Sequence, residues 1–243
     1  SGLLETLPER LIPTVLAHEC GHIACHHVLY RTMGQMILNG AIYGLLGQGI
    51  NVLLTYPIRA AFFYWMRCSE FSADRAAILC DGTPDKMAEV CARLAGFGKG
   101  IGDEINLDAF IEQSEEYKKL IAESKLNKTM EFMQFGNSTH PMNVLRASEA
   151  LKWARTENFL KAKEYFEACQ NNQIPKEIPI SWNEKYFRGK QYEEVVKQLE
   201  EEGFHPVLTR EKDRNILLKD KAVTDVLIDG SQKYKDGDWI ATD

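Results

Sequence analysis

The chain has 243 residues, 44% of them apolar and 26% charged, a composition that supports a packed core and excludes both disorder and a fibrous repeat. Its 29 basic and 35 acidic residues give a formal charge of −6 spread along the chain, so no basic face exists for a phosphate backbone and nucleic acid is excluded as a partner. Six cysteines without a CxxC pair fit neither a disulfide framework nor a structural zinc finger, and read as reduced thiols in a cytoplasmic protein.

The first residue is Ser1, which reads as the start of a processed or trimmed piece of a longer chain. From residue 8 to about 170 the apolar spacing is helical. Pro8 opens the first helix, Pro13 lies in its first turns, and Thr14 to Tyr30 runs on without a breaker. Thr32 to Ile58 then holds no charged residue, a length able to cross a bilayer. Its apolar density is lowered by Gly34, Gly40, Gly44, Gly47 and Gly49 together with Asn39, Gln48 and Asn51. The stretch is too short for two full crossings of about 20 residues each, so a helical hairpin is expected, leaving the chain soluble or in peripheral contact with a membrane through 32–58.

Pro57 reads as the start of a helix that reaches Cys80 and stops at Asp81-Gly82, and Thr83-Pro84 starts the next. Gly96 to Gly102 is a loop, Leu107 to Phe135 one or two amphipathic helices, and Pro141 to Cys169 two more. Asn171 to Pro179, polar with two prolines, reads as a linker. Beyond it, Tyr192 to Glu202 is a helix stopped by Gly203, and Val223 to Ile228 and Trp239 to Ile240 are short strands. The expectation is a mainly α domain over 1–170, a linker over 171–180 and a small α/β domain over 181–243.

The first helix carries His18-Glu19-Cys20-Gly21-His22, an HExxH pattern. Four residues of helix are about 400° of rotation and about 6 Å of rise, so both imidazoles face one ion and Glu19 lies beside them. Cys20 is rotated by about 200° from His18 and reads as packing. A third ligand must come from elsewhere, because His26 is about 12 Å along the axis from His18. The extended metzincin pattern is absent too, since Cys25 and Val28 stand where it needs Gly and His. Glu70 and Asp74 share a helix face in an apolar run, and fit either a metal ligand with its supporting carboxylate or a salt-bridge pair with Arg67 or Arg75.

These residues resemble the gluzincin zinc metallopeptidases that include HtpX and the type I CAAX prenyl endopeptidases. Leu16 to Ile23 is similar to that family's zinc helix, and Glu70-Phe71-Ser72-Ala73-Asp74-Arg75 to its ExxxD helix. Ser138-Thr139-His140-Pro141 followed by Arg146 is similar to its His-Pro and Arg element. The likeness covers about residues 1 to 155. It implies a helical zincin-type domain binding one Zn²⁺ through His18, His22 and Glu70, with Asp74 in support. It further implies Glu19 as general base, His140 at the oxyanion, Arg146 as a brace and a polypeptide substrate. The family's substrate-binding strand lies upstream of the zinc helix, where this sequence has only Ser1 to Leu7. Residues 186–243 faintly resemble PASTA-like accessory domains through Glu193 to Phe204, Ile228-Asp229-Gly230 and Tyr234 to Trp239. The expected function is thus a zinc endopeptidase, with a catalytically silent metal-binding scaffold as the rival.

Overall fold

The computed structural model describes residues 7–44, 51–96, 105–136, 138–183, 185–209, 221–228, 230 and 234–241. They group into two compact units, Ser1–Leu160 and Lys161–Asp243. The fold is mainly α.

After a 3-10 turn at Glu9–Leu11, α1 runs over Ile12–Ala24 with Pro13 in its first turn, where a missing N–H leaves no bond unmade. The helix expected to continue to Tyr30 breaks instead at Cys25 and His26. His26 takes φ 54°, and α2 restarts over His27–Gly44. No Gly or Pro marks this break, so composition gives no sign of it. The next helix, α3, spans Asn51–Asp81 and ends at Gly82, whose φ of 71° suits a residue without Cβ. Pro57 lies inside α3 and does not open it. The ring removes one backbone bond near the helix start, a local loss the rest of the helix outlasts.

Gly34 lies against Phe62, and Tyr30 meets the Trp65 ring edge-on at 6.2 Å, so α2 and α3 run antiparallel. The uncharged stretch is thus shared between two antiparallel helices, whereas the turn of the expected hairpin, residues 45–50, lies outside the described residues. Among the described residues no helix is long and apolar enough to cross a membrane.

The next helix is α4, Asp85–Leu94, with Pro84 just ahead of it; the Gly-rich stretch that follows lies, after Gly96, outside the described residues. Leu107 to Phe135 resolves into α5, Leu107–Glu123, and α6, Lys125–Phe135, divided by Ser124, whose hydroxyl accepts from the Asn127 N–H at 3.0 Å. Two more helices follow, α7 over Asn143–Trp153 and α8 over Glu157–Gln170. Leu11, Ile78, Met87, Cys91, Phe110 and Ala147 are buried in one core where α1, α3, α4, α5 and α7 meet. Full burial of side chains such as Leu, Ile, Met or Phe stabilises by about 1.5–3 kcal/mol each.

In the second unit, Glu177–Pro179, at the end of the stretch read as a linker, forms strand β1, and Trp239–Ala241 forms strand β2. They pair antiparallel, with Ile178 opposite Ile240. Between them α9 covers Tyr192–Glu201. The strand expected over Val223 to Ile228 does not form; the backbone there makes an isolated bridge between Ala222 and Gln191. Trp182 centres this unit, with Phe187 at 4.9 Å, Tyr234 at 5.3 Å and its indole N–H donating to Glu202 at 2.6 Å.

What positions the motif residues is the close approach of α1 to α3. Gly21 sits against α3, where a Cβ would lie 2.7 Å from Ala76 Cβ and 3.1 Å from Ala73 Cα. Thr14 at the other end of α1 donates to Asp81 at 2.6 Å, fixing the register of the two helices. Gly21→Val is therefore expected to destabilise the chain by about 1–3 kcal/mol through overpacking. Chemical denaturation checks this, and wild-type stability in that variant would contradict the close approach.

Candidate active site

The register of α1 against α3 brings His18 and His22 over Glu70. His22 Nε2 is 3.2 Å from His18 Nε2 and 3.5 Å from Glu70 Oε1, and His18 Nε2 is 3.7 Å from Glu70 Oε2. A tetrahedral ion about 2.0–2.1 Å from each donor would space them about 3.3 Å apart. The three therefore fit one divalent metal, with one donor atom each and all within 4.8 Å of one another. Glu70 and His18 are buried, so their donors are already stripped of most solvent.

Behind this set stands Asp74. Its Oδ1 is 2.9 Å from His18 Nδ1, and its two oxygens accept from Arg146 Nε at 2.9 Å and Nη2 at 2.6 Å. Burial pushes the Asp74 carboxyl up, but the Arg146 guanidinium and His18 outweigh it and hold Asp74 below the usual carboxylate range. Arg146, from α7, also reaches Glu70 Oε2 at 3.6 Å. The cation that meets the two acids is thus Arg146, seventy-odd residues away in sequence. Arg75, offered by sequence as a partner for the acids, lies over the Trp153 ring at 5.4 Å.

His140 Nδ1 is 3.0 Å from Glu70 Oε1, and its side chain is 57% exposed at the edge of the cluster. The segment that carries it is tied down by Arg67 of α3, which donates to the Ser138 carbonyl at 3.1 Å, and by the Ser138 hydroxyl, which donates to the His140 carbonyl at 2.7 Å. A cavity of about 500 Å³ opens over the cluster. Val15, Met87, Val90, Leu94 and Met142 form its apolar wall, and His18, Glu19, Glu70, His140, Asn143 and Arg146 its polar one. Glu19 is exposed on that wall, next to the paired imidazoles.

One neighbour, His27, carries no signal in the sequence. His27 Nδ1 is 2.9 Å from His22 Nδ1 and the residue is buried. Burial lowers the pKa of both His22 and His27 below the usual imidazole range. The left-handed turn at His26 makes this contact, and no spacing rule could have found it.

Two imidazoles on one helix and a carboxylate from a second could hold one metal ion, with a further carboxylate at the cavity wall. The family model for peptidase family M48 matches residues 1–154. Among curated relatives, the plastoglobule-localized metallopeptidase 48, chloroplastic, of Arabidopsis thaliana is 34% identical over 156 residues, 64% of this chain and 44% of that protein. A protease HtpX homolog of Methylibium petroleiphilum is 28% identical over 120 residues, 42% of each chain. Another, from Burkholderia thailandensis, is 26% identical over 181 residues, 65% of this chain and 60% of its own. The chain spans about half the length of the curated relatives it matches. No solved structure gives a significant match. The chain belongs to peptidase family M48, a family of zinc metallopeptidases.

The Asp74 contacts generate a pH-dependent prediction. A carboxyl whose folded-state pKa is lowered stabilises the fold above its unfolded value, near 3.9, and that contribution is lost as the pH falls through the lowered value. Asp74→Asn is expected to cost about 3–5 kcal/mol at pH 7, because it leaves Arg146 buried without its counter-charge. The stability gap to wild type should narrow as the pH falls below about 4. Denaturation curves across pH check this, and a gap that stays flat into the acid range would contradict it.

Proposed function

We propose that this chain is a zinc-dependent endopeptidase in which His18, His22 and Glu70 hold one Zn²⁺ per chain. The carrying observation is the convergence of two Nε2 atoms and one carboxylate at separations of 3.2, 3.5 and 3.7 Å. Zinc held by these residues would supply Lewis-acid chemistry towards water and a peptide carbonyl. Glu19, on the cavity wall, would accept a proton from the attacking water on its carboxylate and return it to the leaving nitrogen. His140, at the exposed edge of the cleft, donates to the oxygen that becomes negative on attack. Asp74 orients the His18 ring, and Arg146 keeps Asp74 ionised and in place. The apolar wall offers a polypeptide substrate a place for a bulky apolar side chain. Residues 1–170 would be the peptidase domain and 181–243 an accessory domain, joined through 171–180.

The rival, a silent metal-binding scaffold, is separated by two variants. Glu19→Gln should keep one zinc and lose casein cleavage by at least about a hundredfold, since Glu19 moves protons and does not ligate. Glu70→Ala should lose the zinc itself. Turnover in Glu19→Gln above a few per cent of wild type would sink the general base, and one tightly held zinc in Glu70→Ala would sink the ligand.

We also propose that the α2–α3 hairpin rests on an anionic lipid surface. The face of α2 turned away from α3 exposes Leu29, Met33, Met36 and Ile37 at 55%, 48%, 69% and 62%. No Asp or Glu occurs between Glu19 and Glu70, whereas Arg31, Arg59 and Arg67 do, in a chain of net charge −6. An apolar face in a segment that carries arginines and no carboxylate suits the interfacial mode of binding. The unpaired thiols of all six cysteines support the reducing, cytoplasmic compartment read from the sequence. Flotation with phosphatidylglycerol vesicles should carry the chain upward at low salt, and neutral phosphatidylcholine vesicles should carry less. Met33→Glu combined with Ile37→Glu should abolish flotation while casein cleavage persists. Equal flotation by that variant, or none by wild type, would refute the lipid contact.

A further inference from the structure

The break after α1 gives the candidate metal centre a second-row imidazole. On an unbroken helix, residue 27 would lie about 500° from residue 22, that is about 140° around the axis, and its ring would face elsewhere. The chain instead reverses locally at His26, with φ 54°, and returns the His27 ring to the back of His22. His27 is 9% exposed and meets the Trp65 ring edge-on, with centroids 6.0 Å apart, so its orientation is fixed by packing on the same helix that carries Glu70.

Two ring nitrogens 2.9 Å apart share a single proton: one donates and the other accepts. A metal at His22 Nε2 needs that nitrogen bare, which puts the His22 proton on Nδ1 and leaves His27 Nδ1 as the acceptor. We propose that His27 is a positioning residue for His22, accepting its Nδ1–H and thereby holding the tautomer whose Nε2 lone pair faces His18 and Glu70. This rests on the reading of His22 as a zinc ligand. The two imidazoles of the centre are then supported differently. Asp74 backs His18 with a charge that Arg146 balances, and a neutral ring backs His22 without adding negative charge to a site that already holds Glu19, Glu70 and Asp74.

The test uses the full chain and zinc alone, with affinity read by competition against a chromogenic chelator. His27→Leu fills a similar space but cannot accept a proton, and zinc affinity is expected to fall by about 10–100-fold. His27→Asn, whose Oδ1 takes the place of Nδ1, is expected to restore most of that loss. In the zinc-loaded wild type, long-range ¹H–¹⁵N spectra should show His22 protonated at Nδ1 and His27 at Nε2. Wild-type affinity in His27→Leu, affinity in His27→Asn as weak as in His27→Leu, or a proton on His27 Nδ1 would each overturn the proposal. A folded wild type that takes up no zinc would remove the metal centre and this role together, whereas intact wild-type binding with an unaffected His27→Leu removes the role of His27 alone. If His27→Leu does not fold, the tautomers of the wild type decide.

Discussion

Burial pushes the Asp74 carboxyl up, yet the Arg146 guanidinium and His18 hold it below the usual carboxylate range, and the cleft is organised around that contact. The two-pronged contact from Arg146 joins α7 to α3, and the contact from Asp74 to His18 Nδ1 carries that rigidity into α1. A buried pair of this kind adds little net stability over an apolar replacement, but removing one partner strands the other. Its place in the molecule is geometric: it sets Asp74 Oδ1 2.9 Å from His18 Nδ1, behind one of the three converging donors.

The second constraint is steric. Gly21 lies within the HExxH pattern at a close contact of α1 with α3, so the residue between the two histidines on the packed side has no side chain. Helical periodicity puts His18 and His22 on one face, and the missing Cβ lets that face come close enough for a short Glu70 side chain to reach both. Helix packing and the candidate donor set thus depend on the same five residues. The strain of a non-glycine residue at positive φ, seen at His26, falls directly after this segment, where it redirects the chain into the hairpin.

Much of this was legible from sequence because its signals are local. The i, i+4 histidines, the i, i+4 pair of Glu70 and Asp74, and the breakers at Asp81-Gly82 and Gly203 each act through neighbours within a turn or two. What was illegible depends on contacts made at a distance, or on conformations no residue type announces. The break at His26 lacks Gly and Pro, and Pro57 is carried inside α3 in spite of its missing donor. The end of the expected linker becomes a strand only because Trp239–Ala241 returns to pair with it. The choice of Arg146 over nearer arginines as the partner of Asp74 is likewise set by how α7 packs on α3, and the family resemblance, not spacing, pointed to it.

The most direct measurement is X-ray absorption at the zinc edge on the purified, metal-loaded chain. The proposed centre predicts one zinc per chain with only nitrogen and oxygen in its inner shell at about 2.0–2.2 Å, and the multiple-scattering pattern of two imidazoles. A sulfur at about 2.3 Å would show instead that a cysteine such as Cys20 ligates the ion. That result, a single imidazole, or no bound zinc at all would contradict the assignment of His18, His22 and Glu70.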